Sequence, residues 1–199
     1  MNCSGFKVNM SCKIIADTSV LINLNASGYR DIIFREFTGR MYTTNIVYDE
    51  LQRGESRKGY HDAAIIKDFE KKGIIKIVSL SEESQNIFKN LVYGSAPQTL
   101  DDGEASVIAY AYISDGIALI DEKKATKICK LEYPNLKICN TIDFLRQKRF
   151  LQKFGNKMIM ESIINAKNNA RMPIPYYFMK VLESFEKMED LLLEGSDNL

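Results

Sequence analysis

Ile14-Ile15-Ala16-Asp17-Thr18-Ser19-Val20-Leu21-Ile22-Asn23-Leu24 is the stretch on which the fold turns. Residues 13–16 read as a short buried strand, Asp17 or Ser19 can cap a helix, and 20–24 carry the apolar content of that helix. A strand that stops at an acid and passes at once into a helix puts that acid at the strand's carboxyl end. In an open parallel sheet, that edge is where ligands bind.

Three further acids stand in the same kind of setting: Glu50 in Val47-Tyr48-Asp49-Glu50-Leu51, Glu104 in Leu100-Asp101-Asp102-Gly103-Glu104-Ala105, and Asp121 in Ala118-Leu119-Ile120-Asp121. Each lies where a short apolar run ends or a helix begins. Carboxylates gathered at one sheet edge repel one another at neutral pH, so the set calls for positive charge. A hard divalent cation with oxygen ligands is the natural candidate, which is the signature of a metal-dependent phosphodiesterase. Taken singly, each acid has a plainer explanation: Asp17, Asp101 or Asp102 can be helix caps and Glu50 a solvated helix residue. Glu104 is harder to explain that way, because it opens an alanine-rich helix that is otherwise apolar. Asp121 comes directly after a four-residue apolar strand and is a poor surface charge.

Working outward, residues 29–37 read as a helix closed by Gly39, and 40–43 as a β-branched and aromatic strand leading to a helix that carries Glu50. A polar turn is expected over 54–59, a helix to Gly73, a strand over 74–78, and a capping box of Ser79 with Glu82 opening a helix to Leu91. A loop with Gly94 and Pro97 leads to Asp101-Asp102-Gly103-Glu104, after which Ala105, Ile108, Ala109 and Tyr112 recur at helical spacing up to Gly116. Residues 117–120 form the clearest strand, 122–130 a helix with a basic exposed face, and 136–139 a last strand, with Asn140 or Thr141 capping one more helix. Alternating strands and helices imply an α/β fold with a mostly parallel sheet and right-handed crossovers. The pattern changes near Arg149: Met158, Ile159, Ile163 and Ile164, then Phe178, Val181, Leu182, Phe185, Met188 and Leu191, form two amphipathic helices joined by Met172-Pro173-Ile174-Pro175. The expected division is a sheet domain over 1–148 and a helical extension over 149–199, which packs in cis or presents a partner surface.

A chain of 199 residues with 45% hydrophobic and 27% charged residues builds a core, and no apolar run approaches the roughly 20 residues of a membrane span. No membrane association is expected, and with no secretory-type apolar segment at the start the expected location is cytoplasmic. Cys3, Cys12, Cys129 and Cys139 show no Cys-x-x-Cys spacing and His61 is the sole histidine, which argues against structural zinc and for buried or idle thiols. A formal net charge of +1 excludes a globally basic polyanion binder, so any polyanion must be gripped locally.

With these motifs in order, residues 13–146 resemble the PIN-domain ribonucleases, and within them the toxins of VapC type. Asp17-Thr18-Ser19-Val20-Leu21-Ile22 matches that family's Asp-Thr/Ser-Ser-x-Leu-Ile at the end of the first strand, and Glu50 matches the Glu after the second. Gly103-Glu104-Ala105-Ser106-Val107-Ile108-Ala109-Tyr110-Ala111 looks like the subgroup in which Gly-Glu-Ala replaces Asp-Ala, and Ile120-Asp121-Glu122 matches the strand that ends in Asp. No one match is specific; their conjunction is. Two departures stand out: Asn140-Thr141-Ile142-Asp143 where the family has a Gly/Thr-containing turn, and C-terminal helices longer than the minimal domain needs.

The resemblance implies a PIN-like three-layer fold and hydrolysis of RNA phosphodiester bonds with one or two Mg²⁺ or Mn²⁺ ions. It implies Asp17, Glu50, Glu104 and Asp121 as the catalytic acids. Asp17 is the central metal ligand, Glu104 and Asp121 complete the shell, and Glu50 holds a metal water or a second ion. Ser19 orients a carboxylate or touches a phosphate. Lys123 and Lys124, just after Asp121, and Arg53, Arg57 and Lys58, just after Glu50, supply charge for the RNA strand, as do Lys127 and Lys130 unless these two are plain solvated surface. A small antitoxin and a homodimer are the expected partners. The alternative is a PIN-like RNA-binding or RNA-processing module without a toxin role. A phosphoacceptor signalling domain also collects acids at a sheet edge, but Cys139-Asn140-Thr141 lacks the lysine it needs after the fifth strand.

Overall fold

The computed structural model describes residues 12–58, 61–94 and 99–196, with the backbone alone over 55–58 and 189–196. The first half runs β1 (Ile14–Ala16), α1 (Thr18–Ala26), α2 (Arg30–Glu36), β2 (Met41–Thr44), α3 (Asn45–Lys58), α4 (Asp62–Lys71), β3 (Ile75–Val78) and α5 (Glu82–Tyr93). The second runs α6 (Asp102–Ile113), β4 (Ile117–Leu119), α7 (Lys123–Glu132), β5 (Lys137–Cys139), α8 (Thr141–Leu145), α9 (Lys148–Ala170) and α10 (Tyr176–Ser196).

The five strands form one sheet in the order β3-β2-β1-β4-β5, and every pairing is parallel. Every residue of β1 and β4 is buried, as expected of central strands covered on both faces, whose sequences are continuous apolar runs rather than alternating ones. The chain moves outward from β1 to β2 and β3, then returns to place β4 on the other side of β1, with Ala16 opposite Leu119. That reversal is a topological switch point, and in such sheets a crevice opens outside the carboxyl ends of the two strands that flank it. The architecture is the α/β one read from the sequence, with the sheet flanked by helices.

α6 is the central covering helix and packs against β1, β2 and β4 as well as against α3, α5 and α7. Its small and β-branched residues, Gly103, Ala105, Ser106, Val107, Ile108, Ala109 and Ala111, are all buried. α1 packs against α2, α3, α4, α8 and α9. Aromatic rings fill the gaps around α2, with Phe34 4.9 Å from Phe69 and Phe37 within 4.9 and 5.1 Å of Phe144 and Phe150.

Several expectations are corrected. The turn placed at 54–59 is helical as far as Lys58, because α3 continues through Gly54, whose propensity cost of about 1 kcal/mol does not by itself end a helix. The cap of α5 is Ser81, whose hydroxyl accepts from the Ser84 amide at 3.3 Å, so Ser79 with Glu82 is not a capping box. The terminal helices do not turn their whole apolar set outward. Phe178, Leu182 and Phe185 are buried in the chain's own core, and the Arg146 guanidinium lies 4.6 Å over the Phe178 ring, while Val181 and Met188 are exposed. α9 is bound to the turn between α1 and α2 by Asn165, whose amide donates to the Ser27 carbonyl at 3.0 Å, and by the Tyr29 hydroxyl, which donates to Glu161. Of the cysteines, Cys12 and Cys129 are free and Cys139 is disulfide-bonded, so idle thiols describe only the first two. Cys3, Gly59, Pro97 and the side chains of Arg57, Lys58 and Leu191 lie outside the described residues. No helix among the described residues is long and apolar enough to cross a membrane.

Candidate active site

Asp17 occupies the N-cap position of α1 without capping it, since its side chain makes no cap hydrogen bond. Its amide donates to the Leu119 carbonyl at 3.1 Å, fixing it across the β1/β4 crevice, and its Oδ2 accepts from the Ser19 hydroxyl at 2.9 Å. The residue is 5% exposed. Burial pushes its carboxyl up to about 6; the Thr18 amide and the Ser19 hydroxyl oppose this, and the charges of Glu50 and Asp121 add to it.

Glu50, one helical turn into α3, reaches across to the same edge. Its Oε2 accepts from the Thr18 hydroxyl and its Oε1 from the Gly103 amide at 2.9 Å, so it ties the start of α1 to the first turn of α6. The contact explains the glycine. A Cβ on residue 103 would stand 2.4 Å from Glu50 Oε2, closer than any real contact allows. The motif's Gly is thus the space that Glu50 needs.

Glu104 stands in the first turn of α6, and its carboxylate makes no hydrogen bond among the described residues. Burial pushes it up to about 7, with Asp17, Asp101 and Glu122 adding repulsion and Lys124 opposing them. Asp121 is the best-anchored acid. Its Oδ1 accepts from the Thr141 amide at 2.8 Å, and its Oδ2 accepts from the Thr141 hydroxyl and the Asn23 amide, both at 2.7 Å. Burial still raises its carboxyl against those bonds.

The strand end that carries Asp17 is braced by buried hydroxyls. Thr43 donates to the Ala16 carbonyl at 2.9 Å, and Thr44 shares a 2.7 Å hydrogen bond with Ser106, which donates on to the Gly103 carbonyl. Two adjacent threonines of β2 therefore hold both the residue before Asp17 and the turn that presents Glu104. Satisfied buried networks of this kind fix geometry rather than merely add stability.

The four acids read from the sequence are therefore brought to one edge of the sheet. Ser19 is there too, bonded to Asp17. Lys124 faces the cluster closely enough to lower Glu104, and Lys123 stands exposed beside it at the start of α7. Arg53 is not gathered in: its Nε donates back to the Asp49 carbonyl of its own helix at 3.2 Å. Asp101 holds the N-cap position of α6 without a side-chain cap bond, so its expected capping role is corrected, and Asp102 is exposed in the first turn. Sequence reading missed Asn23, Thr141 and Gly103 as partners of the acids. The signals were present in part, since Thr141 stands at the departure from the family turn and Asn23 interrupts an apolar helical run.

The fit of a divalent cation can be judged from the hydrogen bonding of the donors. Among the described residues no group of three or more His, Cys, Asp or Glu side chains converges tightly enough to hold a metal ion by itself. Of the roughly four lone pairs a carboxylate offers, hydrogen bonds take three at Asp121, two at Glu50 and two at Asp17, whereas Glu104 has none taken, and no cation is bonded to Asp17 or Glu104 among the described residues. One or two carboxylates with the remaining positions left to water is how Mg²⁺-type ions are commonly held. The oxygen donors fit such an ion, Glu104 being the least committed of the four and Asp17 the acid whose charge reaches it most strongly.

A protein-family model described as a PIN domain matches residues 13–165, which include all four acids and continue into α9. No curated protein matches the chain. Because that match spans most of the chain, and the parallel sheet puts each acid at the carboxyl edge, the chain belongs to the PIN-domain family.

Proposed function

We propose that this chain is a metal-dependent endoribonuclease that hydrolyses RNA phosphodiester bonds. We place it in the VapC-type group whose third motif reads Gly-Glu-Ala, as the toxin of a toxin-antitoxin pair. PIN domains are generally nucleases and typically use a divalent metal, which supports the reading. The observation that carries it is the state of Asp17 and Glu104: two carboxyls pushed up to about 6 and about 7 at one sheet edge, with no cation bonded to either among the described residues. A protein gains nothing in stability from such a pair, which makes it a functional-site signal.

Mg²⁺ or Mn²⁺, when bound, supplies a water acidified enough to attack and charge to offset that building on the phosphate oxygens. Asp17 and Glu104 hold it through their unspent oxygens. Asp121, oriented by Thr141 and Asn23, faces the same crevice and supplies negative charge from the β4 side. Glu50 keeps α1 and α6 in register, so that Asp17 and Glu104 stay together. Lys123 and Lys124 position the RNA strand through its phosphates without reading its sequence.

A small antitoxin and a second copy of the chain are the partners this reading implies. Exposed Tyr176, Tyr177, Val181 and Met188 on α10 supply apolar surface for either. The deciding experiment is a cleavage assay on single-stranded RNA with Mg²⁺ or Mn²⁺, with and without chelator, beside Asp17→Asn. Cleavage that needs the ion and Asp17 supports the nuclease, and RNA binding without cleavage overturns it. Growth arrest on expression, relieved by the product of a neighbouring short gene, tests the toxin role separately.

A further inference from the structure

A cavity of about 290 Å³ opens between the start of α3, the end of β3 and the outer face of α5, lined by Asn45, Ile46, Ser79, Gln85, Phe88 and Lys89. It lies on the catalytic side of the sheet. Asn45 and Ser79 directly succeed β2 and β3, whose last residues Thr44 and Val78 are paired, so its floor is the same carboxyl edge that carries Asp17 on β1, the strand next to β2. Ile46 and Glu50 are four residues apart on α3 and share one helix face, with about 5–6 Å between their Cβ atoms. The cavity thus lies along the same edge as the acids.

Its lining suits one kind of occupant. Ile46, Phe88 and Leu80, which also lines the cavity, are half-buried and give its apolar walls, while Asn45, Ser79 and Gln85 are exposed and bring amide and hydroxyl groups that both donate and accept. Lys89, also exposed, carries a positive charge at the rim. A flat heteroaromatic ring with hydrogen-bonding edges and a phosphate attached matches apolar walls, adaptable polar groups and a cation together. The volume is close to the roughly 300 Å³ at which ligand pockets begin, enough for one such ring and not for a folded segment.

We propose that this cavity receives a single nucleobase of the RNA strand whose scissile phosphate lies at the acids, and that Gln85 and Asn45 give the enzyme its base preference. The inference rests on the nuclease reading above. Phe88 and Ile46 take the ring's faces, Ser79 and the two amides meet its edge, and Lys89 takes a phosphate on the strand. Stacking on a protein aromatic is tolerant of base identity, so the amides supply the discrimination.

The test uses the full chain in chelator, so that no cation holds phosphate at the acids. The four 5′-ribonucleoside monophosphates and inorganic phosphate are titrated while backbone amide shifts are monitored by NMR. The expected result is saturable shifts at Ser79 and Gln85, stronger for one base than another and absent with phosphate, which reaches Lys89 alone. Gln85→Ala should weaken the favoured nucleotide and reduce the difference between bases. Phe88→Ala should weaken all four on the order of tenfold. Because Phe88 is partly packed, the exposed Gln85→Ala is the variant that decides if Phe88→Ala fails to fold. Shifts confined to Lys123 and Lys124, shifts at Ser79 and Gln85 reproduced by phosphate, or an unchanged affinity and base preference in Gln85→Ala would overturn the proposal. Hydrolysis of a small aryl phosphodiester by the wild-type chain, measured separately, tests the nuclease reading, and its absence leaves the nucleotide titration able to decide the cavity.

Discussion

Two buried carboxylates in this molecule have opposite fates. The Glu36 side chain, at the end of α2, is 5% exposed, and Asp17 as a residue is also 5% exposed. Burial alone would raise both. Yet hydrogen bonds and charge from Lys153 and Arg149, the latter at 2.7 Å, hold Glu36 below its ordinary value, while Asp17 meets only hydroxyl, amide and further carboxylates and rises to about 6. The first acid is balanced by its own chain and clasps α2 to α9. The second is left in deficit, which is what separates a structural charge from one kept for an outside cation.

The contrast breaks most directly under one conservative change made twice. Asp17→Asn should reduce RNA cleavage to background and, in metal-free buffer at pH 7, raise the melting temperature, because it removes a charge whose upward shift is equivalent to about 3 kcal/mol. Each 1 kcal/mol is worth about 2–4 °C in a chain of this size. Glu36→Gln should do the opposite, costing about 1 kcal/mol by leaving Arg149 and Lys153 unmatched while sparing catalysis. Thermal melts of both variants beside RNase assays decide; a stabilised Glu36→Gln or a fully active Asp17→Asn would remove the distinction.

The same contrast gives pH dependences of opposite sign. Asp17 and Glu104 have folded values of about 6 and about 7, above their ordinary 3.8 and 4.5, so between those limits the folded chain binds more protons than the unfolded one. Their favourable contribution is complete below about pH 4 and is lost as pH rises through 6 and 7. Glu36, lowered from 4.5, contributes above that value and loses its contribution as pH falls through its depressed one. Urea unfolding of the metal-free chain from pH 4 to 8 should therefore show stability falling toward pH 8, and saturating Mg²⁺ or Mn²⁺ should recover it. Glu36→Gln should leave that decline intact and Asp17→Asn should shrink it.

A smaller effect is expected where packing rather than charge keeps the acids together. Gly103→Ala puts a methyl 2.4 Å from Glu50 Oε2, the end of a flexible side chain, so the clash is relieved by giving up the Glu50 bonds to Thr18 and Gly103, at a cost of about 1–3 kcal/mol. Glu50 must swing away, so cleavage should fall while nucleotide binding elsewhere is unchanged. Ala at Gly54, with nothing within 4 Å of its Cβ and inside α3, should instead be neutral or stabilising. Equal activity in both variants would show that Glu50's position is not set by the glycine.

These two glycines mark how far the sequence could be read. The buried strands and the acids that end them were legible, because period, length and strand-end position are local properties, and alternating elements leave few topologies. Gly54 misled because local propensity said turn while the remainder of α3 kept helical geometry. Gly103 was noticed as part of a motif but not understood, since its reason lies 53 positions away on Glu50. The anchoring of Asp121 by Asn23 and Thr141, 98 and 20 positions distant, is long-range in the same way. The burial of Phe178, Leu182 and Phe185 could not be told from an open apolar face, because a helical stripe looks identical whichever chain covers it.

The mildest test concerns the lysines of α7. Lys124 lowers Glu104, whereas Lys127 and Lys130 lie farther along the helix and exert no such effect. If the acid edge needs local cations to admit a polyanion, Lys123→Ala with Lys124→Ala should weaken RNA binding and flatten its salt dependence. Each lost phosphate contact on a single strand removes about 0.7 from the slope of log K against log salt. Lys127→Ala with Lys130→Ala carries the same loss of net charge, so it controls for the general field of the protein. Fluorescence anisotropy on a short RNA across a salt series, in chelator to stop cleavage, measures both. A flatter slope in the first pair alone locates the strand at the start of α7 beside Glu104; the same change in both pairs would mean that only overall charge is felt, and that the RNA does not pass the acids by way of Lys124.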